Sequence, residues 1–189
     1  MIQLFSVEDT RFETVKLIHP FVSTDERGAF VKDYSGAKMA ELGVPYDLKE
    51  VFYTYSYKGV VRAIHFQVVK TQPKLVRVVK GAVYDVVVDL RKDSPTFGQW
   101  QGFELTEENH NEILIPAGFG HGYLVLDDSV VSYKCAEDFY GQYDSGIRWD
   151  DPDIGVAWPL ERVNHRVILS EKDKNLMTLQ EFKEKYQGM

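Results

Sequence analysis

The sequence has one cysteine, no excess of basic side chains and no long apolar run. Its single thiol, Cys135, excludes a disulfide within the chain. Acidic residues outnumber basic ones by 29 to 22, so the chain lacks the basic surface that binds nucleic acid. Apolar stretches such as 86–88 fall far short of the roughly 20 residues that a membrane helix needs. We therefore expect no nucleic-acid partner and no membrane span.

The chain also lacks the features of a targeting segment and of a domain boundary. Residues 1–5 carry neither a basic region nor an apolar core of the signal-peptide type. There is no internal repeat, low-complexity run or linker rich in Pro, Gly or Ser. Residues 1–189 are predicted to form one domain, and the lone cysteine favours a cytoplasmic location.

Short runs of β-branched and aromatic residues follow one another from position 51 to position 135. This spacing predicts a mainly β protein, a sandwich or barrel, with enough aromatic residues to line it. The predicted strands are Val51–Tyr57, Val60–Gln67, Leu75–Val79, Ala82–Leu90, Gly102–Leu105, Glu112–Ile115, Gly122–Leu126 and Val130–Cys135. A tight turn is predicted at Lys80-Gly81, and short peripheral helices at Ser35–Leu42 and Thr178–Tyr186.

A basic and an imidazole side chain interrupt one of these apolar strands. Within Arg62-Ala63-Ile64-His65-Phe66-Gln67, Arg62 and His65 would each cost free energy if buried without a partner. They indicate a site at the mouth of the barrel, where ligands commonly bind. The alternative is a surface arginine and a hydrogen-bonded structural histidine.

A Pro-x-Gly-x-x-His turn follows another apolar strand and resembles the second motif of the cupins. It places His121 at the start of the next strand. Metal-binding cupins add a His-x-His pair and a glutamate, because a divalent cation needs three or four converging donors. Here Phe66 and Gln67 follow His65, so the prediction is a cupin without metal. A weak metal site made of His65, Gln67 and His121 is the alternative.

Two further side chains have both a structural and a functional interpretation. Strand alternation directs Tyr133 and Cys135 to one face, so Tyr133 either packs in the core or presents its hydroxyl to a site. Ser170 and Asp173 have the spacing of a helix capping box. Asp173 would instead orient His65 if the fold brings them together, because a carboxylate fixes the tautomer of an imidazole.

Segments of fixed order and spacing lie between Val22 and Asp173. They are Asp25-Glu26-Arg27-Gly28-x-Phe30, Arg62-x-x-His65-Phe66-Gln67, 74–81, 89–98, 115–122, Tyr133-Lys134, 146–155 and 169–173. Taken together, they resemble the dTDP-4-dehydrorhamnose 3,5-epimerase family, although no single motif is specific by itself. The resemblance implies a cupin-like double-stranded β-helix, a jelly-roll barrel. Such a protein would form a homodimer and act without metal or redox cofactor on a nucleotide-linked 4-keto-6-deoxyhexose.

The chemistry that the resemblance implies suits the residues. A C4 ketone acidifies the hydrogens on C3 and C5, so epimerisation needs a base, an enolate stabiliser and a proton donor. By resemblance His65 is the base and Asp173 orients it. Arg62 and Lys74 would stabilise the enolate oxygen, and Tyr133 would return the proton. Because a phenol has a pKa of about 10, Tyr133 needs a lowered pKa or a relay, which Lys74 is expected to provide.

The resemblance also assigns substrate contacts to six further side chains, Arg27, Phe30, Gln67, His121, Tyr140 and Lys172. The ring of Tyr140 would stack on the base, and His121 would contact the sugar or phosphate. Arg62 and His65 are three positions apart, which places them on opposite faces of an ideal strand, so a bulge or bend is predicted between them. Asp85, flanked by apolar residues, is expected as a carboxylate inside the barrel.

Several positions depart from the family pattern. Lys32 stands where the family has a glutamate, and Glu50-Val51-Phe52 replaces its Gln-Asp-Asn segment. Ala63-Ile64 replaces Gly-Leu before the base. The reversed charge and the lost amide predict altered selection of the nucleotide or sugar. The alternatives are an epimerase of C3 or C5 only on a different nucleotide-linked keto sugar, a sugar 3,4-ketoisomerase, and a non-catalytic sugar-nucleotide-binding cupin.

Overall fold

Twelve strands and three short helices form the structure, a computed structural model that describes residues 1–189. The strands are β1 (Ile2–Gln3), β2 (Ser6–Asp9), β3 (Lys16–His19), β4 (Phe21–Asp25), β5 (Gly28–Lys32), β6 (Glu50–Ser56), β7 (Val61–Gln67), β8 (Lys74–Asp89), β9 (Trp100–Thr106), β10 (Glu112–Ile115), β11 (Phe119–Cys135) and β12 (Asp144–Gly146). The helices are α1 (Gly36–Glu41), α2 (Glu171–Lys174) and α3 (Leu179–Tyr186). The prediction of a mainly β fold is confirmed. None of the helices has the length and apolar character needed to span a bilayer.

Two long strands, β8 and β11, pair with each other and organise the main sheet. β8 also pairs with β10 through its first half and with β9 through its second half. In the same way β11 pairs with β7 and then with β6. The result is a nine-stranded antiparallel sheet, while β1, β4 and β5 form a separate three-stranded sheet.

β8 continues through Lys80-Gly81, where the sequence predicts a tight turn between two strands. Its pairing with β11 shifts register there, so the turn prediction is wrong and the feature is a bulge within one strand. Gly81 has a φ of +80°, and a Cβ would lie 2.4 Å from the Asp128 carbonyl oxygen. Only glycine fits this point. The shift lets Val78 and Val83, an odd number of positions apart, face the same core.

Apolar side chains pack on both faces of the central strands. One core cluster lies inside the barrel and includes Val78, Val83 and Tyr133. The second lies between the sheet and the residues that follow β12, 147–189, which we call the C-terminal segment. There Phe66 of β7 meets Phe182 of α3 with ring centroids 5.1 Å apart. Burial on both faces explains why these strands are continuous apolar runs in the sequence.

The helix ends follow local capping chemistry. The Ser35 hydroxyl accepts a backbone N–H at the start of α1, and Thr178 and Glu181 form a capping box at the start of α3. Both predicted helices are thus confirmed, each with its first predicted residue acting as the cap. The C-terminal segment returns to β7, because the Val61 N–H donates to the Ile168 carbonyl at 2.9 Å. This return carries α2 towards the barrel.

Three buried charged side chains meet the partly exposed Asp33 on the face of β8, β10 and β11 that points away from Tyr133. Lys134 Nζ donates to Glu112 Oε1 and to Asp33 Oδ2, each at 2.8 Å, and Arg77 donates to Asp33 at 3.2 Å. Burial raises the pKa of Glu112 to about 7, although Lys134 opposes the rise. The Glu112 Oε2 atom has no hydrogen-bond partner. We call Asp33, Arg77, Glu112 and Lys134 the outer ion cluster.

Candidate functional site

A cavity of about 170 Å³ opens between β6, β7, β8 and β11. It is lined by Phe52, Thr54, Arg62, His65, Phe66, Gln67, Gln72, Lys74, His121, Tyr133, Phe139 and Asp144. Four of the five predicted catalytic residues are among them, namely Arg62, His65, Lys74 and Tyr133. The cavity is therefore the candidate active site.

The fifth predicted residue, Asp173, reaches this site from the C-terminal segment. Its carboxylate Oδ1 lies 2.7 Å from His65 Nε2, across 108 positions of sequence. Asp173 is 5% exposed and His65 26% exposed. The Ser170 hydroxyl accepts the Asp173 N–H at 3.0 Å, so Ser170 caps α2 while the Asp173 side chain turns to the histidine. The Asp173–His65 pair directs a proton on Nε2 to the carboxylate and leaves Nδ1 as the basic nitrogen.

β7 carries the bulge that the sequence predicts between Arg62 and His65. Arg62 pairs with Tyr123 and His65 with His121, so three steps of β7 match two steps of β11. This irregularity lets both side chains line the cavity. The strands approach closely at this point, because a Cβ on Gly122 would lie 2.3 Å from the Ala63 Cβ.

A second imidazole–carboxylate pair lies deeper in the barrel. His121 Nε2 is 2.7 Å from Asp85 Oδ2, and both side chains are buried. Burial raises the pKa of Asp85, while His121 and then Lys74 oppose the rise. The other Asp85 oxygen has no partner. Asp85 is therefore inside the barrel, as the sequence predicts, and it orients His121.

Two cations face the cavity without a carboxylate partner. The Arg62 Nε donates to the Ser56 hydroxyl at 3.1 Å, and its guanidinium forms no ion pair. Lys74 forms none either, and burial lowers its pKa. Partly buried cations with free donors attract an anion, such as an enolate or a phosphate oxygen.

Tyr133 presents its phenol to the cavity between aromatic rings. The Phe52 ring stacks on it with centroids 4.8 Å apart at 16°, and the His121 ring lies 5.9 Å away. Burial and the neighbouring Tyr123 raise the pKa of Tyr133 well above its usual value. The expectation that Lys74 lowers this pKa is therefore wrong, because desolvation of the phenolate outweighs the charge of Arg62, which is the cation that opposes the rise. Tyr133 is a neutral hydroxyl suited to donate a proton.

The predicted substrate-binding residues are distributed differently. Gln67 lines the cavity, but its amide donates to the Lys70 carbonyl at 2.7 Å and accepts the Tyr140 N–H at 2.6 Å. Tyr140 is not among the lining residues, whereas its neighbour Phe139 is. Lys172 pairs with Asp144, which lies in the cavity wall.

Two predicted contacts lie elsewhere on the chain. Arg27 and Phe30 belong to the β4–β5 hairpin and line a separate surface concavity. Arg27 is exposed and pairs with Asp25. No group of three or more His, Cys, Asp or Glu side chains comes together as a metal-ligand set.

Sequence reasoning missed several cavity residues. Thr54, Gln72, Phe139 and Asp144 line the cavity, yet none interrupts an apolar run in the way that His65 does. Alternation along β6 would have placed Thr54 beside Phe52. The loop residues carry no comparable signal.

Comparison with known proteins places these features in a family. The family model described as dTDP-4-dehydrorhamnose 3,5-epimerase matches residues 9–181. A curated protein of that name from Methanothermobacter thermautotrophicus is 48% identical over 173 residues, which are 91% of this chain and 93% of the relative.

Solved structures agree with the sequence comparison. The Legionella pneumophila dTDP-6-deoxy-D-glucose-3,5-epimerase, crystallised with dTDP-4-keto-L-rhamnose, has a TM-score of 0.89 at 36% identity and covers 94% of each chain. A 3'-monoepimerase from Streptomyces bikiniensis, crystallised with dTDP-quinovose, has a TM-score of 0.85 at 30% identity, covering 93% of this chain and 88% of its own.

The architecture is that of the cupin-like sugar-nucleotide epimerases, which confirms the predicted fold class. The chain belongs to the dTDP-4-dehydrorhamnose 3,5-epimerase family of isomerases, as its sequence motifs predict.

Proposed function

We propose that the protein epimerises C3 and C5 of dTDP-4-keto-6-deoxy-D-glucose to give dTDP-4-keto-L-rhamnose. The observation that carries this proposal is a single cavity lined by an Asp173-oriented His65, two unpaired cations and a neutral tyrosine. These are the base, the anion stabilisers and the acid that an enolate reaction needs.

The reaction begins with transfer of the C3 or C5 proton to His65 Nδ1. The electron pair of the broken C–H bond forms a double bond to C4, and the carbonyl π electrons move to the C4 oxygen. Lys74 and Arg62 stabilise the negative charge on that oxygen. Tyr133 then donates its hydroxyl proton to the same carbon from the opposite face, and the configuration inverts. Solvent restores the protons, so each inversion in D₂O exchanges carbon-bound hydrogen for deuterium.

The nucleotide has a binding surface at the rim of the same cavity. The Phe139 ring is 52% exposed and lines the opening, where it can stack on a pyrimidine base. We assign to Phe139 the stacking role that the family resemblance implies for Tyr140. Lys172, beside Asp144, would contact the sugar or phosphate from the C-terminal segment.

Proton NMR in D₂O tests this function directly. Wild-type protein with dTDP-4-keto-6-deoxy-D-glucose should incorporate deuterium at C3 and C5 and yield the L-rhamno product. His65→Asn should lose exchange by several orders of magnitude, whereas His165→Asn, an exposed control at a φ of +57° that Asn tolerates, should not. Absence of exchange with the wild type would refute the assignment to this substrate.

Epimerisation at a single carbon is the second candidate. The stack of Phe52 on Tyr133 favours it, because a phenol held in one position would protonate one carbon of the sugar better than two. Deuterium at only one position would support this alternative. Retained ligand affinity in His65→Asn, with no exchange in the wild type, would indicate a non-catalytic binder instead.

We further propose a homodimer in which the β4–β5 hairpin serves the partner's cavity. Arg27 and Phe30 line a concavity remote from the residues around His65, and Tyr53 and Tyr55 of β6 are exposed on the outer face. Mixed dimers of Arg27→Ala and His65→Asn should regain turnover. The cavity of the Arg27→Ala protomer then has its own His65 and receives an intact Arg27 from the other protomer. Failure of mixing to restore activity would contradict this arrangement. The cytoplasmic location stays a prediction.

A further inference from the structure

A short segment beyond β11, Glu137–Tyr140, carries Phe139 to the mouth of the cavity. Its backbone groups are held by side chains. The Gln72 amide donates to the Glu137 carbonyl at 2.9 Å, and the Gln67 amide donates to the Asp138 carbonyl at 3.3 Å. The segment therefore owes its shape to side chains of the cavity wall.

Glu50 supplies the contact at Phe139 itself. The Phe139 N–H donates to Glu50 Oε2 at 2.8 Å. On β6, Glu50 lies on the same face as Phe52 and Thr54, which line the cavity, but Glu50 itself is not a lining residue. Its carboxylate is directed to the segment. A hydrogen bond to a charged acceptor is also stronger than one to a neutral acceptor.

The Phe139 ring has little else to hold it. It is half exposed, and no other aromatic ring packs against it. The ring position therefore depends on the backbone below it, and that backbone depends on Glu50.

We propose that Glu50 is a positioning residue that holds the Phe139 ring over the cavity and acts on the ligand only through that ring. The nature of the ligand, a nucleotide whose base stacks on the ring, rests on the proposed function. This role gives a physical reason for a carboxylate at the first position of Glu50-Val51-Phe52.

Amide hydrogen exchange tests the tether without any ligand. In Glu50→Ala the Phe139 amide should exchange about tenfold faster, because one hydrogen bond to a charged acceptor is lost. Glu50→Gln keeps an acceptor oxygen but loses its charge, so exchange at Phe139 should fall between the wild type and Glu50→Ala. Unchanged exchange at Phe139 in a folded Glu50→Ala protein would overturn the proposal. This result is independent of whether the protein is an epimerase.

Titration calorimetry with dTDP tests the consequence. Glu50→Ala should weaken dTDP binding about tenfold, and Glu50→Gln should recover part of that loss. In a Phe139→Ala background the same change should have no further effect, because the ring it positions is gone. A full effect of Glu50→Ala in that background would mean direct contact with the ligand and would refute the inference. Lack of dTDP binding by the wild type would instead count against the proposed function.

Discussion

The outer ion cluster makes stability depend on pH in a direction that is unusual for a carboxylate. Burial raises the pKa of Glu112 to about 7 from 4.5. A raised carboxylate pKa means that the folded protein binds the proton more tightly than the unfolded chain does. The stability that Glu112 contributes is therefore complete below pH 4.5 and is lost as the pH rises through 7.

The size of the effect follows from the two pKa values. Each pKa unit corresponds to about 1.4 kcal/mol. Between pH 5 and pH 8 the Glu112 contribution should fall by about 2–3 kcal/mol. The substitution Glu112→Gln removes the titration but keeps an oxygen that accepts from Lys134. Relative to the wild type, the variant should therefore gain about 2–3 kcal/mol of stability over this range.

Urea unfolding at several pH values, at one fixed protein concentration, measures the difference between the two proteins. Glu26→Gln is the matched control, because Glu26 is exposed and has no hydrogen-bond partner. Its difference from the wild type should stay flat with pH. A flat difference for Glu112→Gln, or one that falls with pH, would refute the reasoning.

Two further substitutions test the site. Asp173→Asn keeps the shape but removes the charge 2.7 Å from His65 Nε2, and kcat should fall by about 10²–10⁴-fold while exposed Asp93→Asn leaves it unchanged; equal activities in the two variants would contradict the orienting role. Gly146→Ala would place a Cβ 2.7 Å from the Ile64 carbonyl oxygen and 3.1 Å from His65 Cδ2. It should destabilise the fold by about 1–3 kcal/mol and lower kcat, measured by thermal unfolding and turnover. Gly36→Ala, in the first turn of α1, would place a Cβ 3.3 Å from the hydroxyl at the end of the Tyr34 side chain, and it is the control that should do neither.

The sequence was most informative where chemistry interrupts an apolar strand. His65, His121 and Tyr133 stand out because a polar group on a buried strand needs a partner or a role. The bulge beside His65 also follows from the requirement that Arg62 and His65 share one face, and the structure contains it.

Other features depend on tertiary contacts that local patterns do not encode. The first five strands escaped prediction because they are short and mostly exposed. Asp173 has the local pattern of a helix cap, and only the return of the C-terminal segment brings it to His65. That Phe139 and not Tyr140 lines the cavity depends on the path of a loop, which Glu50, Gln67 and Gln72 hold through their side chains.

The contact between His65 and Asp173 has a consequence for how the protein is made. A nascent chain that has emerged through β12, which ends at Gly146, contains the barrel strands but not the carboxylate that orients the base. Such a ribosome-bound barrel would lack full activity until the C-terminal segment is synthesised and docks on β7. In the same way, proteolysis between Trp158 and Ser170 that releases the segment would remove Asp173 from His65 and expose the core that Phe182 covers. If His65 and Asp173 act as proposed, catalytic competence is a late event in the synthesis of the chain.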